Sequence, residues 1–265
     1  MIKFSDLVKD VTEAKSVGSM YGGLPDTPST LSQKGRANPD IKKSTAKGFK
    51  VVQANYRRRL ADLVDDFQRG KRNLKQAEKE SLDLIQEYFN KAFRYGLMNQ
   101  AGILSTPENF PLQQTHYQWL NKASREEAGY FSDFLDDVKK KKLKTHWLAR
   151  VDMYVNTLES VFFAGMAAAT PKKDAYYIFH WELSDAEHCD GCVYLAELSP
   201  FPRELLPCTP RDGATQCLSN CKCNLRSQKV EKEEYDKLLK DLPQRKNIVA
   251  QLKRIRERKI GTRRK

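Results

Sequence analysis

Six cysteines, Cys189, Cys192, Cys208, Cys217, Cys221 and Cys223, fall within 35 consecutive residues, and the rest of the chain carries none. Their pattern is Cys-x2-Cys, fifteen residues, then Cys-x8-Cys-x3-Cys-x-Cys. The stretch around them, Asp185 to Arg226, has several prolines and only short apolar pieces, so it needs crosslinks to hold a fold. No run of 18 apolar residues occurs, and the start, MIKFSDLVKD, lacks the basic region, apolar run and small-residue cleavage site of a signal peptide. Neither membrane spanning nor Sec-type export is therefore expected. In a reducing compartment thiols stay free to bind metal, which ranks coordination ahead of disulfides, with zinc the leading ion. A Cys-x2-Cys turn aims two thiolates at one tetrahedral ion, and a close pair from a distant loop completes the shell.

The expected ligands of a structural zinc are Cys189, Cys192, Cys221 and Cys223, with Cys217 as the alternate and Cys208 the least suited. His188 in place of one thiolate would give three sulfurs and an imidazole, although a histidine beside a ligand cysteine more often bonds nearby or stays exposed. A catalytic zinc keeps three protein ligands and an open position, whereas this cluster offers surplus thiolates. His180, Asp185, Glu187 and His188 are the available acid and base groups, but the chain has no HExxH, no zinc-deaminase signature and no phosphate-cradling glycine loop. No enzyme activity is expected. His116 and His146, beside Tyr117 and Trp147, read as core-edge residues.

The rest of the chain reads as mainly α. With 265 residues, 40% apolar side chains and a mean hydropathy of −0.69, it has material for a moderate core and solvated extensions. Residues 1–50 are expected to form an extended, partly disordered N-terminal arm, with a short amphipathic piece at Met1 to Asp10 and a Gly-, Pro- and Ser-rich stretch from Val17 to Lys47. Residues 51–174 read as a helical, bundle-like domain, with apolar residues three and four apart in helices near Val51–Gly70, Leu74–Gly96, Leu112–Val138 and Trp147–Ala169. In the last of these, Gly165 and the alanines after it suggest close approach of another backbone. The aromatic run Ala175–Leu183 predicts a strand and opens a small cysteine-rich α+β zinc-type module over 175–228. A basic helical tail, 229–265, follows, with helices near Val230–Asp241 and Lys246–Ile260 broken at Pro243.

Charge is concentrated in that tail. From Arg245 to Lys265 ten cations face the single acid Glu257, a net +9 of the chain's +13. Arg245, Lys246, Lys253, Arg254, Arg256, Arg258, Lys259, Arg263, Arg264 and Lys265 are the candidate phosphate contacts. The tail lacks stacking aromatics, and the chain lacks zinc-finger spacing and a helix-turn-helix core, so DNA contact is expected to be non-specific.

Three segments together resemble a known family: FQRGKRNLKQAEKESLDLIQEYFNKAFRYG, RVDMYVNTLESVFFAG, and HWELSDAEHCDGCVYLA with PCTPRDGATQCLSNCKCNL. Their order is similar to that in the minor head proteins of tailed bacteriophages, the Mu-F-like head morphogenesis family. The likeness covers Phe67 to Leu225, and its most specific part joins Cys189-x2-Cys192 to Asp212, Gly213, Thr215, Cys217, Cys221 and Cys223. The resemblance implies a virion structural protein at the portal vertex or capsid interior, present in the host cytoplasm during assembly and assisting head assembly, DNA packaging or delivery. Portal and major capsid proteins and packaged double-stranded DNA are the implied partners, with no membrane or small-molecule substrate. It also supports Cys189, Cys192, Cys221 and Cys223 as common metal or crosslink positions. Some relatives carry toxin or enzyme domains after the cysteine module, but the residues left here are too few for one. The rival classes are a zinc-dependent nuclease or other metalloenzyme and a zinc-binding DNA regulator.

Overall fold

Four long helices carry the apolar periodicity of the first half: α1 (Pro39–Gln68), α2 (Leu74–Ala101), α3 (Gln114–Lys139) and α4 (Trp147–Ala168). They belong to a computed structural model that describes residues 39–103, 105–143, 145–169 and 176–262. The Met1 to Asp10 piece and most of the expected arm lie outside those residues.

The arm's last part is not extended: α1 begins at Pro39, well before the expected start near Val51. Proline suits a first helical turn because its missing N–H has no partner there, and Asp40 meets the positive helix end. Tertiary contacts hold the first part of this helix. Asn99 Nδ2 donates to Lys42 O and Thr45 Oγ1 at 3.1 and 2.8 Å, and Phe49 stacks on Phe162 with centroids 4.6 Å apart. Polar composition concealed them.

Helix α2 starts on an Asn73–Gln76 capping box and stops at Gly102, whose φ of 65° places it in the left-handed region. It packs chiefly on α4, where the expected backbone approach occurs. A Cβ on Gly165 would meet Phe93 O at 2.1 Å, and one on Gly96 would meet Phe162 O at 2.0 Å. Only glycine at both positions permits this crossing.

Beyond α4, β1 (Tyr176–Glu182) lies between β2 (Phe201–Pro202) and β3 (Asn224–Val230) in an antiparallel sheet of order β2-β1-β3. Phe179 pairs with Phe201 and Ser227. Alternation splits β1 between two cores. Phe179 and Trp181 join the core of the helical body, while Ile178 packs with Val230 and Tyr235 under α6 (Lys232–Asp241). Helix α5 (Asp190–Leu198) follows β1, and α7 (Arg245–Thr262) closes the described chain. The architecture is mainly α with a small α+β cysteine module. Strand β3 and helix α5 carry no strong sequence period and were not expected; cross-strand pairing forms the first and the cysteine turn starts the second.

Candidate metal centre

Cys189 and Cys192 occupy the entry to α5. Cys189 is the N-cap, and its carbonyl accepts from Cys192 N at 2.9 Å and Val193 N at 3.1 Å. Both thiols thus sit at the N-terminal end of a helix. The opposing wall is the loop from Thr209 to Cys223. Asp212 folds it, with Oδ2 accepting from Thr209 N at 2.9 Å and Oδ1 from Ala214 N at 2.8 Å. Gly213, at φ 81°, turns the chain, and Thr215 Oγ1 lies 3.4 Å from Cys217 Sγ. A 3-10 turn, Leu218–Asn220, separates Cys217 from Cys221, and Cys223 ends the loop at β3.

Five sulfurs meet between these walls. Cys189 Sγ lies 3.5 Å from Cys192 Sγ and 3.2 Å from Cys217 Sγ; Cys192 Sγ lies 3.3 Å from Cys217 Sγ and 3.6 Å from Cys221 Sγ. Zinc–sulfur bonds of 2.3 Å imply tetrahedral sulfur–sulfur edges of about 3.8 Å, so a slight expansion admits an ion. A disulfide needs about 2.05 Å, far closer than any of these pairs. The cluster formed by Cys189, Cys192, Cys217, Cys221 and Cys223 can hold a metal ion. Cys208, buried elsewhere, belongs to neither metal-sized group.

Thiol packing sets the proton affinities. Contact with Cys189 and then Cys192 holds Cys217 down to about 6, and contact with Cys192 and then Cys221 holds Cys223 down to about 4. Hydrogen bonding to all four neighbours, Cys189 first, pushes Cys192 far up. Sulfurs crowded in this way are an arrangement that a cation relieves.

All four favoured ligands are in the cluster, and Cys217, ranked as alternate, is as closely placed as any. Its signal was already in the motif: the Asp-Gly-x-Thr turn aims the following cysteine inward. His188 also approaches, its Nδ1 3.5 Å from Cys223 Sγ. Sequence reasoning missed the residues that tie the loop to α4. Arg211 reaches Glu159 Oε2 at 2.6 Å and Cys223 O at 3.3 Å, and Arg203 donates to Ala168 O and Ala169 O, capping α4. Burial would raise the Glu159 carboxyl, but Arg211, Gln53 and Lys50 together hold it below its ordinary value.

The described part of the basic tail packs on the module. Ile248 and Leu252 of α7 are buried in the core that contains Cys192, and Leu252 faces Gly191 between the first two cysteines. Gln216 Nε2 donates to Ile255 O, and Arg256 Nη1 to Gly213 O, both at 3.0 Å. Arg256 is thus engaged by the loop. Lys246, Lys253 and Arg254 are exposed and Arg245 is half-buried; the side chains of Arg258, Lys259, Arg263, Arg264 and Lys265 lie outside the description. His116 is buried against Phe93 as a core residue, and His146 caps α4. No described helix is long and apolar enough to cross a membrane. Compared with family models, curated proteins and solved structures, the chain matches none.

Proposed function

We propose that this chain is a structural protein of a tailed-bacteriophage head, a minor head protein whose thiolate cluster binds zinc and clips a helical docking body to a basic C-terminal helix. One observation carries the reading: the residues on which the family resemblance rests converge, each with a distinct task. Asp212 folds the loop, Gly213 turns it, Thr215 lies against Cys217, and the five cysteines gather. Thiolates also quench the Lewis acidity of a bound zinc, which suits a clip better than a catalyst. In this reading the protein works beside the portal or inside the capsid after assembly in the host cytoplasm, without catalysis. Its exposed tail cations, Lys246, Lys253 and Arg254, touch DNA phosphates non-specifically.

The test is Cys189→Ser in an assembling phage. Expected are poor recovery of folded protein and its loss from purified heads. Absence of the unmodified protein from heads would overturn the reading. A nuclease or hydrolase turnover that vanishes in Cys189→Ser, while folding and head incorporation persist, would transfer the protein to the metalloenzymes.

A further inference from the structure

The donors gathered at the cluster exceed the needs of one tetrahedral ion, and their arrangement divides them. Cys189, Cys192 and Cys217 form one metal-sized group; Cys192, Cys221 and Cys223 form another. Cys192 belongs to both. Its sulfur lies 3.5, 3.3 and 3.6 Å from those of Cys189, Cys217 and Cys221, and the residue is fully buried.

Beside the second group, against Cys223 alone, stands a nitrogen. His188 Nδ1 is 3.5 Å from Cys223 Sγ, while its Nε2 is 2.7 Å from Ser184 O. A carbonyl oxygen only accepts, so Nε2 is the donor there, and Nδ1 is the ring atom that faces the Cys223 sulfur and is placed to meet a metal.

We propose that the cluster binds two zinc-type ions bridged by the Cys192 thiolate. Cys192, Cys221, Cys223 and His188 hold the inner ion; Cys189, Cys192 and Cys217 hold the outer one, with solvent completing its shell. The inference rests on the zinc reading above and extends it. Formal charge favours it: one dication among four thiolates leaves −2 against a fifth sulfur in contact, whereas two dications among five thiolates leave −1. Exposure fits as well. Cys221 and Cys223 are buried, and Cys189 and Cys217 are half-buried, where solvent can reach an outer ion.

Cadmium, spectroscopically visible and similarly thiophilic, supplies the test on the full-length chain loaded with cadmium-113 and dialysed. Expected are two cadmium ions per chain and two resonances split by mutual coupling through the shared sulfur. In His188→Ala one resonance moves; in Cys217→Ser the content falls from two ions to one. One ion per chain in the unmodified protein overturns the two-ion cluster and leaves the single-zinc clip standing. No bound ion overturns both. Two uncoupled resonances overturn the bridge, and unmoved resonances in His188→Ala overturn its place as a ligand.

Discussion

The helical body and the cysteine module share one apolar core but are held in opposite ways. In the body, long helices satisfy their own backbone groups and bury aromatic rings: Phe131 meets Tyr154 edge-on at 4.9 Å, and Tyr56 stacks on Tyr88 at 5.0 Å. In the module, short turns leave backbone groups that side chains must satisfy, as Asp212 does at two amides. Arg211 and Leu218 hold positive φ values of 69° and 53°, which non-glycine residues adopt only when their surroundings compel it. Stability is spread over many contacts in the body and concentrated in a few atoms in the module. The module also seats α7, so its integrity fixes where the basic helix points.

Metal removal should separate the two regions most strongly. Under reducing conditions a strong chelator should strip amide-exchange protection from the Thr209–Cys223 loop and from α7 while α1 and α2 keep theirs; structural thiolate sites contribute on the order of 10 kcal/mol. Equal loss everywhere would make body and module one cooperative unit. Next in size is the bridge between them. Arg211→Met leaves the Glu159 carboxylate without its guanidinium at a site where both side chains are mostly buried, and should cost about 4 kcal/mol in urea unfolding. A cost near zero would mean that Lys50 and Gln53 suffice for Glu159.

Within the body, Gly165→Ala pushes a methyl against the Phe93 carbonyl and should destabilise by about 3 kcal/mol, without altering metal content. Loss of bound metal in that variant would show that the module depends on the α2–α4 crossing. The smallest expected effect is a pH dependence. Burial pushes the Glu127 carboxyl from its ordinary 4.5 up to about 7. Because the folded value is the higher one, its contribution is complete below the unfolded value and is lost as pH rises through about 7. Between pH 5 and 8 this amounts to about 2.5 kcal/mol. Glu127→Gln should flatten that part of the unfolding profile, and an unchanged slope would assign it to another group. Burial drives His116 the opposite way, down to about 4, so its contribution is lost as pH falls from its ordinary 6.5 toward that value.

Where apolar period was strong, elements were legible beforehand. Leu82 to Phe93 marked α2 and Val151 to Phe162 marked α4, because core-facing residues on a helix must recur every three or four positions. The start of α1 was not legible, because Thr45 and Lys42 gain their helix-holding partner, Asn99, from a distant segment. Strand β3 was hidden for the same reason: Asn224–Val230 is largely polar and becomes a strand by pairing with β1.

The candidate site divides along the same line. The chain by itself determined that cysteines must meet, since their density in a stretch without apolar runs leaves few other ways to hold a fold. It also determined that one end is basic. Only the tertiary structure decided which sulfurs are neighbours and that His188 turns Nδ1 toward Cys223. It also decided that Arg256 serves the loop while Lys253 faces solvent. Spacing along a chain limits which residues can approach one another, whereas coordination depends on side-chain direction, and packing of distant segments sets that direction.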